Sequence, residues 1–490
     1  MLRAPPEPER TKMNINENTI SKIVAEVVQQ LGGTANPPAP TRSYVGRFGQ
    51  FTDLEDAVQA ARDAYEQLEK KTIAERRLAI DAIRNVSNQN AVELGTLEMQ
   101  ETKIGRLDHK IEKQAGVGRV TPGIEFLKSE CWSGDYGLTV IEHAPYGVIA
   151  AVSPVTHSLP TITCNAINMI SAGNTIVFSP HPGGKKIASL GVKMFNQAIY
   201  EAIGIDNLMT ILTEPKVEYV EKLFAHPLVN LINVTGGPAV GRVALRQQKR
   251  AVVSGPGNPP VVVDETADLD RAAKSIIYGA SYDNNLLCLA EKEVFVVNQV
   301  FDAMMNAMES AGAYRLSPDQ VAAFTEKAIV YVGEGADRHP VPSRDFLGKS
   351  PRHMGQLMGW NIPENVELFY GETDETNPFV PVEQMLPFLP FVRARDVDDA
   401  IRLAVKYEHG FHHTGIMHSM NVENLTKMGK ALDTTIFVKN GASVAGLGNG
   451  GEGYASYSIA GCTGEGITNP LVYTRSRRYT LVDALHILGK

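Results

Sequence analysis

A two-domain α/β fold built on a parallel, doubly wound sheet is what this sequence predicts, on three observations. Short apolar runs alternate with helical segments through the middle of the chain, as in GVIAAVSP (147–154), NTIVFSP (174–180), NLMTILTEP (207–215) and VNLINVTGG (229–237). Such alternation implies right-handed crossovers, which place the strands side by side and parallel. The last run breaks into a Gly-Gly turn, and a helical pattern opens behind it on Pro238, a residue suited to the first helical position. At 490 residues the chain also exceeds what one hydrophobic core usually serves.

Composition narrows the class. Apolar residues make up 43% and charged residues 21%, values that suit a folded, water-soluble chain and exclude a disordered one. The net charge of −8, with RSRR (475–478) the only basic run, argues against a nucleic-acid partner. No apolar run approaches the roughly 18–20 residues a membrane span requires, and no signal-like apolar block opens the chain. Four scattered cysteines, Cys131, Cys164, Cys288 and Cys462, are too few for a disulfide framework. A cytoplasmic protein without a membrane partner is the expectation.

The N-terminal segment stands apart. Residues 1–15, proline-rich and charged, are expected to be disordered. In residues 16–32, Ile20, Ile23, Val24, Val27, Val28 and Leu31 recur at helical spacing and form one narrow apolar face. Asn16 or Asn18 can cap its start, and Gly32-Gly33 can end it. Residues 33–41, with three prolines, read as an extended linker. So short a helix needs a surface to lie on. That surface is either the body of the chain or, as the linker favours, another protein. Its polar face carries Lys22 against Glu26 rather than a basic belt, which disfavours a membrane.

Two polar helical stretches follow, at 53–71 and 75–102, before the strand–helix alternation begins. In such a sheet ligands bind at the C-terminal strand ends. There Thr235, Gly236 and Gly237 would let backbone N–H groups and a helix N-terminus approach a pyrophosphate; a plain tight turn is the alternative. GLGNGG (446–451) spells a similar motif, but no helical pattern opens behind it, so it reads as a loop. His409, His412, His413 and His418 cluster in EHGFHHTGIMH without acidic or cysteine partners at ligand spacing, and no metal is expected. From Asp268 the pattern gives a helix (268–281), a loop carrying Cys288, and a strand, EKEVFVV (291–297). A cysteine so placed is either a nucleophile or a core filler, and spacing alone leaves both open.

Five landmarks in order, APYGVIAAVSP, AGNTIVFSPHP, VTGGPAVG, NNLLCLAEKEV and VEQMLPFLP, resemble the aldehyde dehydrogenase superfamily over residues 45–490. FSPHP, SGPGNPP, HHTGIMHS, VKNG and GEGIT are most similar to its coenzyme-A-acylating members from bacterial microcompartments. The resemblance implies the aldehyde dehydrogenase fold. A Rossmann-like NAD- and coenzyme-A-binding domain would span 42–256, a catalytic domain 257–448, and a return segment 449–490. Residues 129–146 and 471–490 would be oligomerisation arms of a homodimer or tetramer. It makes Cys288 the nucleophile that carries a thioester.

The remaining site residues follow from the same resemblance. The side-chain oxyanion donor of hydrolytic relatives falls on Thr156, with His157 beside it. The dinucleotide would contact Pro154, Ser179, Pro180, Thr235, Gly236, Gly237, Pro238, Ser254, Gly255 and Glu383. Ser179 and Pro182 replace the relatives' lysine and acidic residue at the adenosine ribose, whereas Glu383 matches the position that orients the nicotinamide ribose. Ser254 stands where hydrolytic relatives carry the glutamate that activates water, so the acyl group should pass to coenzyme A, with His413 or His412 as the thiol's proton acceptor. The implied substrate is propionaldehyde, with acetaldehyde, as in ethanolamine use, the runner-up. Residues 16–31 look like a segment that docks on microcompartment shell proteins.

Overall fold

The structure, a computed structural model, describes residues 44–335 and 338–485. The segments at 1–15, 16–32 and 33–41 lie outside them. The α/β expectation is borne out by two parallel sheets. The first runs, in spatial order, Gln50–Phe51, Met209–Leu212, Thr175–Pro180, Val148–Ser153, Val229–Thr235 and Arg250–Ser254, with every neighbouring pair parallel. The chain builds outward from Val148–Ser153 on one side, then returns to its other side with Val229–Thr235. The strand order therefore reverses between these two, which opens a crevice at their C-terminal ends.

Why these strands are central is visible in their burial. Val148, Ile149, Ala150, Ile176, Val177 and Phe178 are all closed to solvent, as expected where helices cover both faces of a parallel sheet. The helix Ser158–Ser171 is buried along its whole length beneath this sheet. The predicted helical stretch at 75–102 is two helices, Ile73–Gln89 and Ala91–Thr102. Asn90 breaks it with non-helical dihedrals, and its side chain bonds back to the Val86 carbonyl, a local alternative that asparagine offers the backbone.

The second sheet has seven strands: Tyr314–Arg315, Phe369–Thr373, Phe388–Ala394, Glu293–Val297, Pro260–Val263, Thr414–His418 and Ile436–Lys439. All its neighbours are parallel as well. The strand at 293–297 is buried on both faces, and Glu291, Lys292 and Glu293 are themselves closed to solvent. The GLGNGG stretch is a loop, as expected: a short 3-10 turn, Ser443–Leu447, ends at Gly448, and no helix follows.

A third, antiparallel sheet joins the hairpin Glu130–Gly134 and Gly137–Pro145 to the C-terminal strand Thr474–Val482. Just before that strand, Val472 and Tyr473 pack into the first sheet's core. Asn174 ties the pieces together. Its Oδ1 accepts from the Tyr146 and Gly147 amides at 2.7 and 3.0 Å, and its Nδ2 donates to the Met169 and Tyr473 carbonyls at 3.1 and 2.9 Å. No helix among the described residues is long and apolar enough to cross a membrane.

Asn174→Ala leaves the buried Gly147 amide, the Tyr473 carbonyl and the half-buried Tyr146 amide without this partner, while the Met169 carbonyl keeps the backbone N–H of residue 174 at 2.9 Å. With about 1–3 kcal/mol for a buried group left unpaired, we expect at least ~2 kcal/mol of lost stability, read as a lower urea midpoint at unchanged slope.

Candidate active site

Cys288 stands at the end of an unusual turn. Asp283, Asn284 and Asn285 all have positive φ, at 48°, 54° and 63°, a conformation that aspartate and asparagine tolerate better than other non-glycine residues. Asn284 donates to the Gly105 and Gly348 carbonyls, and Asn285 to those of Ala280 and Glu291. The turn leaves Leu287 and Leu289 in the core at 2% and 1% exposure. Between them Cys288 faces a cavity of about 560 Å³.

That cavity opens at the crevice of the first sheet and gathers most of the residues expected from sequence. Pro154, Thr156 and His157 line it from one strand end, Ser179 and Pro180 from the next, and Thr235, Gly236 and Gly237 from the third. Ser254, Gly255 and Glu383 complete the wall towards Cys288. Pro238 and His413 are not among its lining. Pro238 instead begins the helix Pro238–Leu245. Within the group, Thr235 bonds the hydroxyl of Ser458 at 2.7 Å, and the Gly236 amide donates to the Ser254 carbonyl at 3.4 Å.

The residues fit a dinucleotide. A Cβ on Gly237 would meet nothing within 4 Å, so this backbone, at the start of a helix, is open to a ligand's close approach. The Ser254 and Ser153 hydroxyls line the cavity, buried and without a hydrogen-bond partner, as expected of groups that await a ligand. The volume lies within the roughly 300–1,000 Å³ of small-molecule sites.

Four buried charges hold the two loops that face each other across the cavity. Lys110 donates to the Thr156 carbonyl at 2.7 Å and pairs with Glu98 at 3.3 Å and Asp283 at 3.7 Å. Lys113 pairs with Asp283. Glu98 in turn accepts from the Ser158 and Leu159 amides at 3.1 and 3.3 Å, at the start of the helix that follows Thr156. All four side chains are essentially closed to solvent. His157, tilted against Tyr457 with centroids 5.2 Å apart, is held well below its usual pKa by burial and by the Lys113 and Lys110 charges. It is a neutral imidazole whose Nδ1 has no partner.

Electrostatics around Cys288 are set by burial. The Cys288 thiol is pushed up to about 12 by burial and by the Glu383 carboxylate, against the opposing pull of Lys292. Glu383 is raised to about 7, again by burial, while Lys292 and the Gly257 N–H restrain it. Lys292 falls to about 8 for the same reason. Its ammonium donates to the Asn285 and Leu287 carbonyls at 3.0 and 3.2 Å, which clamps the backbone just before Cys288.

His413 lies behind this wall. Its amide donates to Glu408 and its Nδ1 meets the Thr414 hydroxyl at 2.9 Å. Burial and the Lys292 charge lower it to about 4. The neighbouring rings turn elsewhere: His409 meets the Pro381 carbonyl and His412 that of Asp433. Among the described residues no group of three or more His, Cys, Asp or Glu could hold a metal ion.

A second, smaller cavity of about 180 Å³ reaches the same loop from the far side, lined by Val117, Val120, Tyr282, Leu287, Val444 and Leu447 among others. Tyr457 lines both cavities. Sequence reasoning missed Tyr457, Ser458, Lys292 and the Glu98–Lys110–Asp283–Lys113 cluster. The one available signal was the charged triplet 291–293 at the head of an apolar strand.

Lys110→Met removes a cation from a closed cluster and leaves carboxylates behind. Breaking a buried pair in this way costs about 3–5 kcal/mol, so chemical denaturation should show a loss of that size.

The comparisons agree with this geometry. The model of the aldehyde dehydrogenase family matches residues 35–317. Acetaldehyde dehydrogenase (acetylating) EutE of Salmonella typhimurium is 43% identical over 97% of this chain and 100% of its own length. The crystal structure of Rhodopseudomonas palustris propionaldehyde dehydrogenase with bound coenzyme A and an acylated cysteine is 40% identical, with a TM-score of 0.86 over 90% of this chain and 100% of that one. A propionaldehyde dehydrogenase from the Clostridium phytofermentans fucose utilisation bacterial microcompartment is 38% identical, with the same TM-score over 90% and 99%. Parallel sheets, a crevice-end cavity and a cysteine on its wall thus coincide with these likenesses, and the chain belongs to the aldehyde dehydrogenase family.

Proposed function

We propose that this protein is an NAD-dependent, coenzyme-A-acylating aldehyde dehydrogenase that converts propionaldehyde to propionyl-CoA inside a bacterial microcompartment. One observation carries the proposal: Cys288 and Ser254 line a single cavity, so a hydroxyl stands where a hydrolytic relative needs a base. A serine hydroxyl does not accept a proton near neutral pH, and base assistance to water is worth about 10²–10⁴-fold.

The chain's own residues divide the work. The Cys288 thiolate adds to the aldehyde carbon, with the developing oxyanion directed towards backbone N–H groups near the cysteine and the Thr156 loop. Thr156, His157 and Tyr457 shield that position from solvent. The strand ends at Ser179–Pro180 and Thr235–Gly237, with the helix that Pro238 begins, hold the dinucleotide, and Glu383 orients its nicotinamide ribose. A nicotinamide ring, when bound, supplies the hydride acceptor. What remains on Cys288 is a thioester, which the thiol of coenzyme A takes up.

The second cavity supports a small apolar aldehyde. At about 180 Å³ it is small, its walls carry Val117, Val120, Val444 and Leu447 with Glu112, Lys113 and Arg119 at its polar side, and it reaches Leu287, the residue before Cys288. One methylene in such a pocket is worth about 1–3 kcal/mol, so acetaldehyde is turned over as well, within about 10–200-fold of propionaldehyde. The relatives fit both substrates, one being an acetylating acetaldehyde dehydrogenase and two propionaldehyde dehydrogenases.

The antiparallel sheet supports a homodimer or tetramer. It presents Trp132, Tyr136, Tyr479 and Val482 at 54%, 86%, 51% and 69% exposure, an apolar edge that a second copy would cover. We assign residues 16–31 to docking on shell proteins, in keeping with their apolar stripe and proline-rich tether.

Steady-state nicotinamide reduction by propionaldehyde should require coenzyme A and yield propionyl-CoA by mass spectrometry. Without coenzyme A we expect about one equivalent of reduced dinucleotide per site and an acylated Cys288; continued turnover to propionate would refute the proposal. Deleting residues 1–41 should leave turnover intact and abolish encapsulation, read by activity in purified compartments.

A further inference from the structure

Coenzyme A brings a proton on its sulfur, and Cys288 must receive one when it leaves the thioester. Gly257 touches both candidates for this exchange. Its N–H helps hold the Glu383 carboxyl down, and an added Cβ on it would lie 2.3 Å from the backbone carbonyl oxygen of Cys288. Glu383 and Cys288 line the same cavity. The segment carrying Glu383 is pinned there as well, because Gln384 donates to the Lys292 and Phe388 carbonyls at 2.7 and 3.0 Å.

We propose that Glu383 relays the proton between the two thiols of the acyl transfer, from the sulfur of coenzyme A to the sulfur of Cys288. The inference rests on the transfer to coenzyme A proposed above, and it extends the ribose role to the half-reaction in which the reduced dinucleotide has left. The step balances without an added reactant. The coenzyme A S–H bond breaks as a carboxyl O–H forms on Glu383. A new C–S bond forms to coenzyme A while the C–S bond to Cys288 breaks, and the carboxyl proton passes to the departing Cys288 sulfur.

Other groups near the wall are less suited. His413 touches Gly257 from behind, its Cγ 3.1 Å from the position of an added Cβ; its Nδ1 meets Thr414 and its Nε2 has no partner, but it does not line the cavity. Lowered to about 4, it is too weak a base for a thiol near 8.5. Glu291 is bonded to Ser443. Glu293 and Glu408 are raised by burial behind the strand and the histidine loop, and Lys292 already donates to backbone carbonyls. Glu383, near 7, has the basicity that a neutral-pH proton relay needs.

The test omits nicotinamide altogether, which removes the ribose role. Dialysed enzyme is given propionyl-CoA and isotopically labelled coenzyme A, and the label entering propionyl-CoA is followed from pH 5.5 to 9 (approximate range chosen to bracket the Glu383 midpoint). We expect wild-type exchange to rise with pH through about 7, as the carboxyl ionises. Glu383→Gln should lower it by about 10²–10⁴-fold and erase that limb, while Glu383→Asp keeps a limb and part of the rate. Stoichiometric alkylation of Cys288 by iodoacetamide checks that each variant retains its site. Exchange by an alkylatable Glu383→Gln at the wild-type rate, or with the limb intact, overturns the relay. So does loss of the limb in His413→Gln instead. Absence of exchange in the wild-type protein refutes the acyl transfer itself, a separate result.

Discussion

The Thr156 loop and the turn before Cys288 are positioned by four charges that water does not reach. Glu98, Lys110, Asp283 and Lys113 balance to zero and are closed to solvent. Taking such ions out of water is expensive, and mutual attraction offsets the cost only when the remaining lone pairs and protons are also bonded. Here they are. Glu98 caps the first turn of the helix behind Thr156, Lys110 holds the Thr156 carbonyl, and Asp283 accepts from the Arg106 amide at 2.8 Å. One cluster thus fixes both the Thr156 loop on the cavity wall and the left-handed turn that presents Cys288 to it. A shift of about 1 Å in either would be felt in catalysis, and close packing leaves no slack to absorb it.

The same dryness explains the charge states at the nucleophile. Burial raises Cys288 and Glu383 and lowers Lys292, which brings the carboxyl and the ammonium close to neutrality. Each pKa unit is about 1.4 kcal/mol between protonation states. A proton therefore moves between Glu383 and Lys292 at small cost, whereas taking one from Cys288 is uphill until a substrate changes its surroundings. The resting cysteine is accordingly a thiol, protected from adventitious chemistry.

The fold was legible because its signals are local and repeated. Each apolar run from Val148 to Thr235 became a central strand, and Pro238 began the expected helix, since a parallel sheet buried on both faces demands unbroken apolar residues. Asp283-Asn284-Asn285 also carried its turn in its chemistry. The charged cluster was not legible. Glu98, Lys110 and Lys113 lie on helices whose other charges face solvent, and nothing in their spacing separates the buried from the wet. EKEVFVV is the expected strand, Glu293–Val297, but the burial of Glu291, Lys292 and Glu293 at its head follows from tertiary context that the pattern alone does not carry.

A carboxylate near Cys288 raises the question of why it would serve a thiol and not water. Basicity decides. A thiol ionises near 8.5 and bulk water near 15.7, so a carboxyl at about 7 is roughly 1.5 units short of the first and roughly 9 short of the second. Proton transfer from coenzyme A is nearly level, while activation of water is steeply uphill unless a second group orients it during attack. In hydrolytic relatives a glutamate at the Ser254 position provides that help. Here the position offers only a hydroxyl, which can hold a water but cannot take its proton near neutral pH. Selectivity for a sulfur acceptor then follows from basicity: the Glu383 carboxyl suits a thiol and falls far short of water.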